Sequence, residues 1–139
     1  MAEYDLNAIC KVAMAITPVA ATAIADGSDI DTLGFESVMF CVFSGTLGTG
    51  TIDFTLQEAD DDGAGSPDTY GAVAAADIIG VAPTVLATED DSVWRFGYIG
   101  KKRWVRLQNV ETAAWTSMIH GAVCILSSPK TIPVTAQIT

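Results

Sequence analysis

The feature that most constrains the fold is a strict alternation of apolar and polar residues in the middle of the chain. Over residues 50–58, the apolar side chains of Ile52, Phe54 and Leu56 alternate with polar ones. A period of two is typical of a β-strand with one buried and one solvated face. No stretch shows the longer period of an extended amphipathic helix. The sequence therefore predicts a β protein.

Further strands are predicted on both sides of this segment. Residues 35–43 are apolar on both faces, which predicts a buried central strand, and the three glycines of residues 44–50 predict a turn. Residues 93–99 and 103–110 predict a hairpin closed at Gly100, where a positive φ is expected. Residues 115–126 predict another strand, with Ile119, Val123 and Ile125 on one face.

The first segment is ambiguous. Residues 8–16 fit a strand with Cys10, Val12, Met14 and Ile16 on one face, and they also fit a helix. The strand is favoured because no N-cap and capping box precede the segment. Residues 73–79 predict a single helical turn.

Closely spaced strands with Gly, Pro and Asp turns predict an all-β fold, a single β-sandwich or jelly-roll-like domain over residues 1–139. Two separate domains of about 70 residues each would both be marginally stable. Pro129 and Pro133 disfavour a final strand. Residues 1–8 and 129–139 are therefore predicted to be extended arms.

The charge of the chain bears on its partners. The formal net charge is -10, which argues against nucleic acid as a partner, because phosphate contacts require clustered cations. Five of the seven basic residues nevertheless lie between Arg95 and Arg106. The acidic residues form three short clusters around positions 26–31, 58–62 and 89–91. An acidic surface with one basic stripe suits protein contact or simple solubility.

The cysteines and the apolar start of the chain bear on its compartment. The three cysteines are far apart in apolar runs, which indicates buried thiols made in a reducing cytosol. Residues 8–25 are apolar, but acidic residues precede them and Lys11 and Pro18 interrupt them. This pattern fits neither a secretory signal nor a membrane span, so we expect a soluble protein without a membrane partner.

No constellation of residues predicts catalysis. His120 is the only histidine, and Cys124 lies on the same face of the predicted strand, roughly 13 Å away. The acidic segments lack the spacing of an EF-hand, so solvated turns are favoured over a loose calcium site. We therefore predict that the chain is not an enzyme and carries no catalytic residues, no metal site and no cofactor.

The most distinctive segment is the basic and aromatic run of residues 94–106. Arg, Trp and Tyr are the residue types that dominate protein interfaces, and they also form platforms for single-stranded nucleic acid. A packed core with an interface is favoured over nucleic acid because of the overall negative charge.

At this segment the chain resembles a family of small tailed-phage head proteins, usually encoded near the major capsid protein. The resemblance depends on an ordered set of motifs that covers roughly residues 12–134. It departs from the family pattern at Trp104, where Tyr is usual, and at Cys124. The matching segments are residues 97–107 (GYIGKKRWVRL), 30–38 (IDTLGFESV), 56–61 (LQEADD), 76–80 (ADIIG) and 121–126 (GAVCIL) followed by Pro129.

The resemblance implies a capsid decoration or cement protein on the exterior of the virion, made in the cytoplasm of the host bacterium. Its expected partners are the major capsid protein at capsomer junctions and further copies of itself, as a trimer. The alternatives are another virion component (neck, tail or head fibre) or a carbohydrate- or calcium-binding β-sandwich module. The candidate interface residues are Tyr4, Leu6, Lys101, Lys102, Arg103, Ile132, Pro133 and Val134.

Overall fold

The computed structural model of the protein describes residues 5–131 and Val134. The described residues are almost entirely β structure, which confirms the predicted all-β class. The elements are helix α1 (Leu6–Ile9), strands β1 (Lys11–Ala21), β2 (Ala25–Asp26), β3 (Ile30–Asp31), β4 (Phe35–Ala59) and β5 (Gly71–Ala72), a 3-10 helix (Ala75–Asp77), and strands β6 (Ile78–Ile79), β7 (Thr84–Leu86), β8 (Val93–Tyr98) and β9 (Trp104–Pro129).

Two long strands organise one antiparallel sheet. β4 and β9 pair with each other along nearly their whole length, from Phe35 opposite Pro129 to Ala59 opposite Trp104. The first half-sheet comprises β1, residues 118–129 of β9, residues 35–44 of β4, β8 and β6. The second half-sheet comprises β2 and β3, residues 104–110 of β9, residues 51–59 of β4, and β5 and β7.

The sheet folds over between its halves. The β4–β9 ladder shifts register between Ser44 and Leu47 and again between Thr49 and Ile52. Such bulges bend a strand without ending it. The predicted turn at residues 44–50 is therefore wrong as a chain reversal, because β4 continues through it as a bent strand.

The two half-sheets face each other around one core. The ring of Phe40 in the first half stacks on Phe96 at a centroid distance of 5.6 Å. Phe54 of the second half meets the ring of His120 of the first half edge-on at 5.5 Å. The fully buried side chains include Phe40, Val42, Ile52, Val85, Val105, Leu107, Met118, Cys124 and Leu126. One folded sheet thus provides the two layers that the sequence predicts for a sandwich.

A short link at Gly27 and Ser28 joins the half-sheets on the β1 side. The N–H of Gly27 donates to the carbonyl of Leu107 (2.7 Å), and the N–H of Ser28 donates to the carbonyl of Ala15 (2.9 Å). Only a residue without a side chain fits here, because a Cβ on Gly27 would overlap both carbonyl oxygens. We call these two residues the seam.

The predicted hairpin over residues 93–110 is wrong in its pairing. Both strands exist, but β8 pairs with β4 and β6, whereas β9 pairs with β4 and β1. The connection between them therefore crosses from one half-sheet to the other. Gly100 is not needed for a positive φ. It is needed because the ring of Tyr98 lies where a Cβ would be.

One other prediction needs correction. Residues 6–9 form a short helix, so the first arm is not extended over its whole length, and β1 begins at Lys11. The predicted common face of Ile119, Val123 and Ile125 is confirmed, and it is the outer one, because the core face of this strand carries Met118, His120, Ala122, Cys124 and Leu126. The single helical turn predicted near residues 73–79 is confirmed by the 3-10 helix.

Candidate protein-binding surface

The outer face of the first half-sheet is apolar. The strand register places Val12, Ile125, Met39, Gly97 and Ile79 in one row across five strands. The neighbouring rows carry Met14, Val123, Cys41 and Arg95, then Gly121, Phe43 and Val93. These twelve residues, eleven of them uncharged, alternate with inward-facing residues along the strands, and Gly121 among them is covered by the side chains of Phe43 and Pro18. We call this set the apolar face.

The apolar face is accessible along both of its sides. Met14 is 47% exposed on β1, and Ile79 is 58% exposed on β6 at the opposite edge. Monomeric soluble proteins rarely expose contiguous apolar patches beyond a few hundred Å², and larger patches mark interaction sites. Apolar residues on both sides of β4 and β9 thus have two different roles: one side forms the core and the other forms a surface.

A groove of about 460 Å³ runs along the β6 side of the apolar face. It lies between Met39 of β4 and Ile79 and Gly80 at the end of β6, with Gly97 among the residues that line it. Arg95 and Glu36 line the groove as charged residues of opposite sign. A groove of this kind could receive a protruding apolar side chain from a partner surface.

The outer face of the second half-sheet has the opposite chemistry. Arg106 donates from Nε to the Oε1 of Gln57 (2.7 Å) and pairs through Nη2 with Asp26 (3.2 Å). Its guanidinium also lies 4.1 Å from the centre of the Tyr70 ring. Gln108 donates to Asp26 (2.6 Å), so polar groups of three neighbouring strands satisfy one another within the chain. We call this the polar face.

The cations at residues 101–103 form mainly contacts within the chain. Arg103 makes a two-pronged interaction with Asp31, from Nε (2.9 Å) and Nη2 (2.8 Å), and a further ion pair with Asp61. The hydrogen bonds from Arg103 hold the pKa of the Asp31 carboxyl below its usual value. Lys102 pairs with Asp60, whereas Lys101 is exposed. Of the three predicted interface cations, Lys101 is thus the one most available to a partner.

The candidate residues at the chain ends come together in part. Leu6 on α1 is 69% exposed. The N–H of Val134 donates to the carbonyl of Ala8 at 2.8 Å, so the two ends of the chain meet. Tyr4, Ile132 and Pro133 lie outside the described residues.

His120 is a structural residue in this fold. Its side chain is buried, and its Nδ1 lies 2.9 Å from the carbonyl of Met118. A carbonyl only accepts, so Nδ1 carries the proton and Nε2 accepts from the amide nitrogen of Asn109 at 2.9 Å. Burial lowers the pKa of His120. Burial also raises the pKa of the Cys124 thiol to about 12, which leaves it a poor nucleophile.

The acidic loop near residue 61 is closed by its own backbone. Asp61 Oδ1 accepts from the N–H groups of Gly63 (2.8 Å) and Gly65 (3.2 Å), and Asp62 accepts from Ala64 (2.7 Å). Within the described ranges, no group of three or more His, Cys, Asp or Glu residues is arranged to hold a metal ion. The same part of the chain contains no helix long and apolar enough to span a membrane.

Sequence reasoning missed the apolar face, although a signal for it was present. Residues 35–43 are apolar on both sides, and this pattern was interpreted as burial on both sides. In a fold of two layers only one side of each strand can face the core. The second apolar side of β4, together with that of β9, was therefore the signal for a surface.

The described residues thus define a small all-β protein in which one outer sheet face is suited to bind another protein surface. No protein-family model and no curated protein matches the chain. Among solved structures, the chain is similar to the crystal structure of SPBc2 prophage-derived protein YomS, at 15% sequence identity over 86% of this chain and 93% of that one. The TM-score is 0.44, and we base no argument on this similarity.

Proposed function

We propose that the chain is a structural virion protein of a tailed phage that decorates and stabilises the capsid by binding the major capsid protein at capsomer junctions. The observation that carries the proposal is the apolar face, because a broad apolar sheet surface is a device for binding protein and suits the joining of copies into a decorating oligomer. The ordered motif resemblance over roughly residues 12–134 supplies the phage context.

The mechanism follows from geometry and multiplicity. A bent sheet whose halves share one core is a rigid body, so it can hold two neighbouring surfaces at a set distance. Each contact can be modest, because symmetry repeats it many times over a shell and simultaneous contacts strengthen one another. The exposed residues Leu6 and Lys101 are the described candidates for the capsid contact.

The remaining expectations fit this role. Within the basic stripe, Lys102, Arg103 and Arg106 are each paired with an aspartate of the same chain, which supports a protein partner over nucleic acid. The three cysteines are free thiols, in keeping with synthesis in the host cytoplasm. The proposed location is the capsid exterior, where the chain acts as a binding protein and not as an enzyme.

The test is to purify virions of the encoding phage and to measure the copy number of the chain by mass spectrometry and its position by cryo-EM. The expected result is a copy number in fixed proportion to the major capsid protein, with density on the outer surface of the shell. Copies confined to the neck, the tail or a head fibre would overturn capsid decoration in favour of another virion role. Absence from the particle would overturn both.

A matched functional test uses particles that lack the chain. Decoration predicts that such particles lose DNA at a lower temperature and that added purified chain restores their stability. Unchanged heat resistance of the undecorated particles would contradict a stabilising role. Calcium titration and a glycan array test the binding-module alternative, and binding in either assay would count against the proposal.

A further inference from the structure

We infer that the apolar face is the interface between copies of this chain. The inference rests on the proposed function only in taking this face as protein-binding, and it names the partner as a second copy. It draws on three observations: the size of the face, the distribution of charge around it, and the timing with which it must be covered.

The size of the face approaches the lower requirement of a specific interface. Strands lie about 4.8 Å apart and outward residues recur about every 6.8 Å along a strand, so each of the twelve residues covers about 33 Å². The face therefore offers about 400 Å² of flat area from each copy, estimated from the same spacings. Two copies would bury about 800 Å² of flat area together, and more once the relief of the side chains is included, against about 1,000 Å² for the smallest specific interfaces.

Charge directs copies toward this face. Two chains with a net charge of -10 repel each other wherever their acidic clusters meet. Within the described rows of the apolar face there is no acidic residue, and Arg95 is the one charged side chain. The acidic residues Asp26, Asp29, Asp31 and Asp53 lie with the second half-sheet, on or near the polar face. Contact through the apolar face therefore keeps most of the like charges apart.

Timing favours a second copy over a different partner. An apolar surface of this size is exposed as soon as the chain folds, and it promotes aggregation until it is covered. Another copy of the same chain is present at equal concentration from the start, whereas a different partner has to be produced and encountered separately. Homodimer interfaces are also more apolar than interfaces between transient partners. The uncharged composition of this face fits that class.

The experiment compares two substitutions at equally exposed positions on opposite half-sheets. Met14 on the apolar face is 47% exposed, and Leu86, which points outward from the second half-sheet, is 48% exposed. The mass of the purified full chain and of Met14→Asp and Leu86→Asp is measured by light scattering and by sedimentation equilibrium. We expect an oligomer for the wild type and for Leu86→Asp, and at least a tenfold weaker association for Met14→Asp.

A third variant, Ile79→Asp, separates the face from its edge. Met14 and Ile79 lie on opposite sides of the face, so an interface across the face is weakened by both substitutions. Association that responds to Met14→Asp alone would place the contact at the β1 edge and overturn the inference. Circular dichroism checks that each variant is folded, which is expected because both side chains lie on the surface.

The rate of methionine oxidation measures locally whether the same interface is covered. Dilute peroxide should oxidise Met14 more slowly in the wild type than in Ile79→Asp, while Met118, which is buried in the core, stays slow in both. Equal rates for Met14 in the two proteins would contradict the inference. A wild type that is monomeric at every concentration, yet decorates virions, would overturn this inference and leave the proposed function standing. An oligomer that is absent from virions would overturn the proposed function and leave this inference standing.

Discussion

The outer faces of the two half-sheets differ in chemistry although the same two strands run through both. On the apolar face, the side chains of β4 and β9 are Met39, Cys41, Val123 and Ile125 and their neighbours. On the polar face, the same strands present Gln57, Arg106 and Gln108, which bond to one another or to Asp26. The polar groups of the polar face are bonded within the chain. The apolar face leaves apolar area that a partner could cover.

This difference arises because the inner and outer sides of one folded sheet are under different physical constraints. The described inner positions of β4 and β9 are mostly apolar in both halves because they meet in the core, and Ser44, Asn109 and His120 are the buried polar exceptions. Only the outer residues are free to differ. Their change from apolar to polar at the bend separates the half with an apolar outer face, where we propose an interface, from the half with a polar outer face.

The largest expected effect comes from breaking the seam that holds the halves together. Gly27→Ala places a Cβ on the carbonyl oxygens of Ala15 and Leu107, so both seam hydrogen bonds are strained or lost. We expect a free energy of unfolding lower by about 3 kcal/mol or more, or no folded protein. Urea unfolding followed by tryptophan fluorescence measures the effect.

The control for the seam is Gly71→Ala, because a Cβ at Gly71 meets open space. Its free energy of unfolding should change by no more than about 0.5 kcal/mol. Equal stability of the Gly27 and Gly71 variants would mean that the halves do not depend on the seam.

A smaller loss of stability is expected from a substitution of Arg103, whose ion pairs connect Asp31 of β3 with the loop at Asp61. Arg103→Lys keeps the charge but cannot reproduce the two-pronged contact with Asp31. The midpoint of thermal unfolding should therefore fall, and proteolysis within residues 60–67 should become faster. Lys101→Ala, at an exposed position next to it, should leave both unchanged. A lysine variant as stable as the wild type would show that charge alone suffices at this position.

The buried contact between the halves gives a pH dependence. Burial lowers the pKa of His120 in the folded state, so the unfolded chain binds its proton first as pH falls below about 6.5. Stability is complete above that value and declines below it, by at most about 1.4 kcal/mol for each pH unit. Urea unfolding of the wild type between pH 7 and pH 5 measures the slope. His120→Gln, which cannot titrate, should show a flatter profile over the same range, and an identical slope would contradict the assignment.

The smallest effect is expected on the polar face itself. Arg106→Gln removes the ion pair with Asp26 and the contact with the Tyr70 ring, both at the surface. The free energy of unfolding should fall by only about 0.2–1 kcal/mol, and less in high salt. Oligomer mass should not change. A dissociated Arg106→Gln oligomer would mean that the polar face, and not the apolar face, joins the copies.

Local patterns in the sequence were sufficient to predict several strands and one helical turn. The alternation at Ile52, Phe54 and Leu56 predicted both a strand and its buried side, and each of these residues is buried. The strands predicted at residues 93–99 and 115–126 correspond to β8 and to the second part of β9, and the helical turn predicted within residues 73–79 corresponds to the 3-10 helix. These predictions succeeded because they depend on the spacing of residues within a few positions.

Predictions of pairing failed where two strands lie close in sequence but apart in the sheet. β8 and β9 are separated by a short connection, which favours a hairpin, yet β4 lies between them. The glycines of residues 44–50 predicted a reversal, yet the pairing with β9 carries β4 through the bend. Short connections constrain the distance between strands, and they leave open which neighbour supplies the hydrogen bonds.

The sequence by itself determined the all-β class, the positions of most strands and the lack of a recognisable catalytic motif, because residue type and local period are properties of the chain alone. Only the tertiary structure decided which side of each apolar strand is core and which is surface. It also assigned Arg103 to its partners Asp31 and Asp61, more than 40 positions away. The physical reason is that a strand with two apolar sides fits either orientation until another layer of the fold covers one of them.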